Sequence, residues 1–257
     1  AGRIDGFRTA PLHVGLGTGT QLAMAVAAGL SAWLEVAPLP PEQLAQCVGR
    51  GKRSAIGLYG FAHGGLLYET GKSTEEEIAP LVNRVELPTE WRFVLVRPMC
   101  QCGLSGEAER DAFARLPPVP VERTETLYRE AADRLMPAAA AGRFDDFSES
   151  LYQFGYLAGL GFAERQGGAF HGERLASLVE RIRSCGVRGV GQSSWGPTLF
   201  ALVPNDSAVA EFLERFGRHE DARSLELTVA IPQNEGARIE VLSSPNPPSW
   251  MKIRGSK

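Results

Sequence analysis

Three glycines alternate with small or polar residues in Pro11-Leu-His-Val-Gly-Leu-Gly-Thr-Gly-Thr-Gln21, and an apolar helical pattern follows at once. Glycine lets a backbone turn through positive φ and lets another group approach the main chain closely. Where such a loop runs into a helix N-terminus, unpaired N–H groups and the positive end of the helix dipole face outward together, which suits a phosphate or diphosphate. Gly15, Leu16, Gly17, Thr18, Gly19, Thr20 and Gln21 are therefore candidate substrate-binding residues. The spacing is neither GxxxxGK[ST] nor a GxGxxG set between a strand and an acidic ribose ligand. A plain loop-to-helix turn gives the same pattern.

An anion also needs cations. Gly49-Arg-Gly-Lys-Arg-Ser-Ala-Ile-Gly-Leu-Tyr-Gly60 carries Arg50, Lys52 and Arg53 and is the most basic short segment of the chain. Lys52 and Arg53 are the candidates for neutralising phosphate oxygens, since lysine offers a point charge and arginine a planar fork; Ser54 adjoins them. His63, ahead of Gly64 and Gly65, can donate a proton or orient a carboxylate, and can equally be structural. Gln192, Ser193, Ser194, Trp195 and Gly196 form a glycine-flanked loop that sets hydrogen-bonding groups beside an aromatic face, suited to an aromatic ring or a phosphate. A capped turn with Trp195 as core filler is the alternative. Arg97, at a strand end, can meet an anionic substrate. His13, among apolar neighbours, is read as structural, and no residue stands out as a general base. Cys100-Gln-Cys102 lacks zinc spacing and a second ligand pair, so the cysteines are read as cytoplasmic thiols.

The elements that must position these groups form an ordinary globular chain. At 257 residues, 44% hydrophobic and 22% charged, it can bury a sizeable core. The net charge of −3 argues against a general nucleic-acid binder. Leu22 to Leu34 is too short to span a bilayer and is expected as a buried helix, its alanines packed against a sheet. Pro41 opens a second helix to about Val48, and Leu66 to Glu69 reads as a strand. A composition shift near residue 88 divides the chain into 1–87 and 88–257. In the second part Trp91 to Arg97 is a strand, and Ser105 can cap a helix carrying Glu107 and Glu109 in its first turn. Residues 123–165 are helical with breaks at Pro137 and Gly142, and His171 to Cys185 is a helix. Val187 to Val190, Thr198 to Val203 and Leu225 to Ile231 are strands, with Asp206 to Phe216 helical. Interleaved strands and helices indicate an α+β sandwich with helices on one face of the sheet.

Three segments resemble the GHMP kinases. Pro11 to Thr20 looks like their P-x-x-x-G-L-G-S-S-x phosphate loop, Gly51 to Gly65 like the glycine-rich segment that follows, and Gly189 to Thr198 takes the place of their C-terminal glycine motif. Within that superfamily, HVGLGTGTQLAMAVA, GRGKRSAIGLYGFAHGG, WRFVLVRP with GLSGEAE, and GQSSWGPT are similar to the β-ribofuranosylaminobenzene 5′-phosphate synthases, over about residues 11–240. The resemblance implies a two-domain GHMP-kinase-like α+β fold with a ferredoxin-like C-terminal domain. Only ten residues precede Pro11, where family members carry a strand with a Pro-x-Arg-like motif, so either the chain is a fragment or its N-terminal domain is curtailed.

The same resemblance implies an activity. The family condenses phosphoribosyl pyrophosphate with 4-aminobenzoate or 4-hydroxybenzoate, releasing CO2 and pyrophosphate, on the route to methanopterin. Mg2+ and a homodimer are implied with it, while the cysteine reading gives a cytoplasmic location and neither nucleic acid nor membrane is expected as a partner. An ATP-dependent small-molecule kinase is a second reading. Kinases of the superfamily commonly have an Asp in the segment matching Arg53 to Gly57, whereas this chain has no acid there until Glu69. A non-catalytic ligand-binding relative is a third.

Overall fold

The computed structural model describes residues 9–72, 77–99, 111 and 114–241. Cys100, Cys102, Ser105, Glu107 and Glu109 lie outside them. The glycine loop ends in α1 (Thr18–Trp33), followed by α2 (Pro41–Cys47), with Pro41 opening its first turn. The basic glycine segment then becomes a third helix, α3 (Ile56–His63). Two interior glycines oppose a helix here, but Leu58, Tyr59 and Phe61 are all buried and supply the compensating packing. Gly57 also permits a close crossing, since a Cβ there would lie 3.1 Å from Thr20 Cγ2 on α1.

Two expectations for α1 are corrected. Its buried residues Met24 and Ala28 pack with Leu44, Ala45, Leu58 and Tyr59 of α2 and α3, so among the described residues its partners are helices rather than a sheet. It is also only partly buried: Leu22, Leu30 and Trp33 are exposed, because they lie on the face turned away from α3. Next comes an antiparallel hairpin of β1 (Leu66–Glu69) and β2 (Leu81–Val85), paired Leu66 to Val85. Asn83 and Arg84 interrupt the apolar pattern of β2, which hid it in the sequence.

Residues 88 onward build a four-stranded antiparallel sheet. Its strands are β3 (Arg92–Pro98), β4 (Gly189–Gln192), β5 (Leu199–Val203) and β6 (Leu225–Ala230), in the order β4-β5-β3-β6. With helices between β3 and β4 and between β5 and β6, this is the ferredoxin-like arrangement. The expectation of helices on one face is corrected. Val94, Val96, Val190, Leu199 and Ala201 meet α8 (Gly172–Ser184) and α9 (Asp206–Gly217) on one side. Phe93 and Leu202, at the alternate positions, meet α5 (Met136–Ala140) and α6 (Phe144–Leu160) on the other.

The expected break at Pro137 is also corrected. Helix α4 (Val121–Arg129) runs through a π-helical turn, Glu130–Leu135, directly into α5. Pro137 falls in the first turn of α5, where the missing N–H is tolerated after the wide turn. The break comes instead at Gly142, in the left-handed region at φ 63°. A short α7 (Ala163–Gln166) precedes α8.

Beyond β6 the chain returns to the first 87 residues. Gln233 O accepts from Gly65 N–H at 2.7 Å, and Ala237 N–H donates to Phe61 O at 2.7 Å. The Asn234 side-chain amide pairs with both backbone groups of Leu87, at 2.9 and 2.8 Å. Residues 231–241 thus pack across the division at 87/88.

Candidate active site

The structure brings two glycine loops 178 residues apart in sequence into contact. Ser193 Oγ donates to Gly15 O at 2.7 Å. The main chains meet so closely that a Cβ on Gly15 would sit 2.3 Å from Ser193 O, and Gly15 adopts φ 87°. Only glycine meets both demands. Within the second loop, Ser193 N–H donates to Thr198 O at 2.9 Å and Gly196 N–H to Ser193 O at 3.0 Å, while Ser194 is left-handed at φ 55°.

Directly after Gly15 the chain presents the N-terminus of α1. Gly17 is its left-handed N-cap, no side chain caps the helix, and its first turn holds no acid. Gly17 O accepts from Thr20 N–H and Gln21 N–H at 2.9 and 3.1 Å, and Thr18 Oγ1 donates to Pro11 O at 3.0 Å, closing the loop at its base. A helix end of this kind favours a bound anion. Gln21 is engaged otherwise: its Nε2 donates to Gly57 O at 2.7 Å, tying α1 to α3.

Arg50 reaches the loop, with Nη2 3.6 Å from where a Cβ on Gly19 would stand. Arg50, Lys52 and Arg53 of the basic segment are all exposed. Ser54 Oγ accepts from Ile56 N–H at 3.3 Å, a local turn at the start of α3. Nearby, Glu69 Oε2 accepts from Ala55 N–H at 2.6 Å. An acid thus reaches the segment that lacks one in sequence, because the β1 strand runs back beside α3. Glu69 lies 14 positions beyond Ala55 in sequence, and no spacing rule signals the contact.

His63, Gly64 and Gly65 lie at the other end of α3. Six residues of helix separate His63 from Gly57, about 9 Å at 1.5 Å each. There Arg84 Nε donates to His63 O at 3.2 Å, and the His63 ring stacks on Tyr59 at 6.2 Å. Gly64 and Gly65 make room for backbone: a Cβ would lie 2.5 Å from Glu235 O at Gly64 and 2.8 Å from Val85 O at Gly65. The structure therefore gives these residues a role in docking the returning chain, away from the loop. Arg97 pairs with Glu226, its cross-strand neighbour on β6, and is likewise occupied.

The second loop also walls a cleft of about 340 Å³ between α6 and the β4–β5 edge. Phe154, Phe162, Trp195 and Phe200 line it, with Gln166 and Gln192 as polar members. Trp195 is buried and meets Phe162 edge-to-face at 5.0 Å. Gln192 is committed to structure: Oε1 accepts from His171 N–H at 2.7 Å, and Nε2 donates to Ser194 O at 2.9 Å and Gln166 Oε1 at 3.3 Å. It offers no free N–H to a ligand, contrary to the expectation for this residue. Nothing in the spacing of Gln166 and Phe162 marks them in the sequence.

Among the described residues no group of three or more His, Cys, Asp or Glu residues could hold a metal. No helix among them is long and apolar enough to cross a membrane.

Comparison with known proteins follows the same lines. Residues 135–222 match the family described as GHMP kinases C terminal. Among solved structures, the Lactococcus lactis galactokinase complexed with galactose aligns at TM-score 0.58 and 16% identity, over 88% of this chain and 68% of that one. The L. major mevalonate kinase in complex with R-mevalonate aligns at TM-score 0.58 and 15% identity, over 86% of this chain and 67% of that one. These give the fold: a GHMP-kinase-like α+β chain. A beta-ribofuranosylphenol 5′-phosphate synthase of Methanothermobacter thermautotrophicus is 30% identical over 222 residues, 79% of this chain and 65% of that protein. The Archaeoglobus fulgidus protein of the same name is 31% identical over 241 residues, 89% of this chain and 73% of that protein. The chain belongs to the beta-ribofuranosylphenol 5′-phosphate synthase family.

Proposed function

We propose that this chain carries the synthase reaction of its relatives, condensing phosphoribosyl pyrophosphate with a 4-substituted benzoate. The observation that carries the reading is the clasp between Ser193 Oγ and Gly15 O at 2.7 Å, which joins an uncapped helix N-terminus to the aromatic-walled loop. An anionic donor and an aromatic acceptor can then be held side by side. The C1–O bond to diphosphate breaks and its electron pair leaves with the diphosphate. The ring carbon bearing the carboxylate bonds to C1, and the carboxyl bond then breaks, returning its pair to the ring as CO2 departs. The N–H groups at the α1 N-terminus and the Arg50 guanidinium face the charge that develops on the leaving diphosphate. The relatives' names carry phenol rather than aminobenzene, which favours 4-hydroxybenzoate as acceptor. Mg2+ belongs with the diphosphate in this reading, as its counter-ion.

The test is CO2 release from carboxyl-labelled 4-hydroxybenzoate and 4-aminobenzoate, with Mg2+ and phosphoribosyl pyrophosphate. Release that requires the donor supports the synthase; no release from either acid sinks it. One observation favours a second reading, an ATP-dependent kinase. Glu69 supplies a carboxylate at Ala55, in the segment where the lack of an acid counted against phosphoryl transfer. ATP turnover dependent on an alcohol, and lost in Glu69→Gln, would select that reading.

A further inference from the structure

The aromatic-walled cleft has a composition that selects its occupant. Helix α6 presents Leu151, Phe154, Gly155 and Ala158 along one stripe, and the sheet edge and second loop close the other side. The volume is about 340 Å³. A dry apolar cavity of roughly 150 Å³ suffices for a benzene ring, so one substituted ring fits with room at its edge. None of the lining residues is charged. A carboxylate inside would lose its hydration without a partner, so a charged end must stay out.

The polar groups are equally selective. Gln166 Nε2 lies 3.0 Å from the carbonyl oxygens of Gly159, Gly168 and Ala169, which fixes the amide's orientation and engages both its N–H bonds. Both N–H bonds of Gln192 are engaged as well. What remains at these two side chains is acceptor capacity on their oxygens. The rim is shared with the catalytic clasp, since Gln192, Ser194 and Trp195 flank the serine that holds Gly15.

From this geometry we infer that the cleft seats the acceptor ring with its 4-substituent inward and its carboxylate-bearing carbon at the mouth, toward the donor loop. The inference rests on the synthase reading for the acceptor's identity. An inward hydroxyl or amino group donates to the glutamine oxygens; an ether oxygen has no hydrogen to give, and a site built around such a bond rejects it.

Gly155→Leu tests the placement. No atom lies within 4 Å of a Cβ at Gly155, so the new side chain can grow into the cleft without displacing the helix. Leucine also has the better helix propensity. Direct calorimetric titration of 4-hydroxybenzoate, without donor, should show at least tenfold weaker binding to Gly155→Leu than to the wild-type chain. Pyrophosphate binding and Tm should be unchanged. In the wild-type chain 4-methoxybenzoate should bind at least fivefold more weakly than 4-hydroxybenzoate. Equal binding of 4-hydroxybenzoate by the two proteins, or none by either, overturns the cleft as ring site. Binding lost in Gly155→Leu, but with no CO2 release by the wild-type chain, keeps the ring site and sinks the synthase reaction instead.

Discussion

Replacing Gly15 with alanine should break the contact on which the candidate active site depends. Two costs add. Gly15 sits at φ 87°, a conformation that costs an L-residue roughly 1–2 kcal/mol. The new Cβ would also stand 2.3 Å from Ser193 O and 3.2 Å from Gly196 O, both backbone atoms that cannot rotate aside. The loops must separate, losing the Ser193 Oγ to Gly15 O hydrogen bond, a further ~1 kcal/mol. Together with residual strain the loss should be about 2–4 kcal/mol. Gly17→Ala is the internal comparison. It is also left-handed, at φ 68°, but nothing lies within 4 Å of its Cβ, so only the conformational cost of roughly 1–2 kcal/mol applies. Ser193→Ala should cost about 1 kcal/mol, the hydrogen bond alone. Urea unfolding followed by circular dichroism gives all three differences, with the slope checked for constancy. Equal losses for Gly15→Ala and Gly17→Ala would refute the contact between the loops and the site built on it.

Other outcomes follow from the same geometry. Arg50→Ala should raise KM for the phosphoribosyl donor about tenfold, the loss of one charge-assisted contact, and Lys52→Ala should raise it less; steady-state kinetics with varied donor decides, and the reverse order would return the cation role to Lys52. Gly64→Ala places a Cβ 2.5 Å from Glu235 O at φ 62°, so it should free the returning chain. Hydrogen exchange at the Gly65 and Ala237 amides should then speed by roughly tenfold or more, the equivalent of about 1.4 kcal/mol, while donor KM stays unchanged. Burial, and then Glu42, raise the Tyr59 phenol above its ordinary value of 10.0. Its hydroxyl donates to Ala79 O at 3.1 Å. Its contribution to stability is therefore complete below pH 10.0 and lost as pH rises through the raised value. Tyr59→Phe should flatten the fall in stability above pH 10.0 in alkaline unfolding curves, and an unaltered slope would place the titration elsewhere.

The sequence by itself determined the local elements. Pro41 at a helix start, the apolar run of Arg92–Pro98 and the periodic Gly172–Ser184 declare their structure through neighbours within a few residues. The glycine loop was legible too, because left-handed backbone and an uncapped helix start are local properties of Gly15 and Gly17. Tertiary structure decided which of these pieces meet. Gly64 and Gly65 look like ligand glycines in sequence, yet Gly64 admits the backbone of residues 233–235 and Gly65 that of Val85, which only the fold brings to them. Arg50 rather than its neighbours reaches Gly19, Gln192 is held by His171 and Gln166, and Glu69 returns to Ala55. Each is a contact between side chains or main chains far apart in sequence, fixed by helix crossing and strand pairing rather than by any residue's own preference. Two loops 178 residues apart became one site because the packing left room between them for glycine alone.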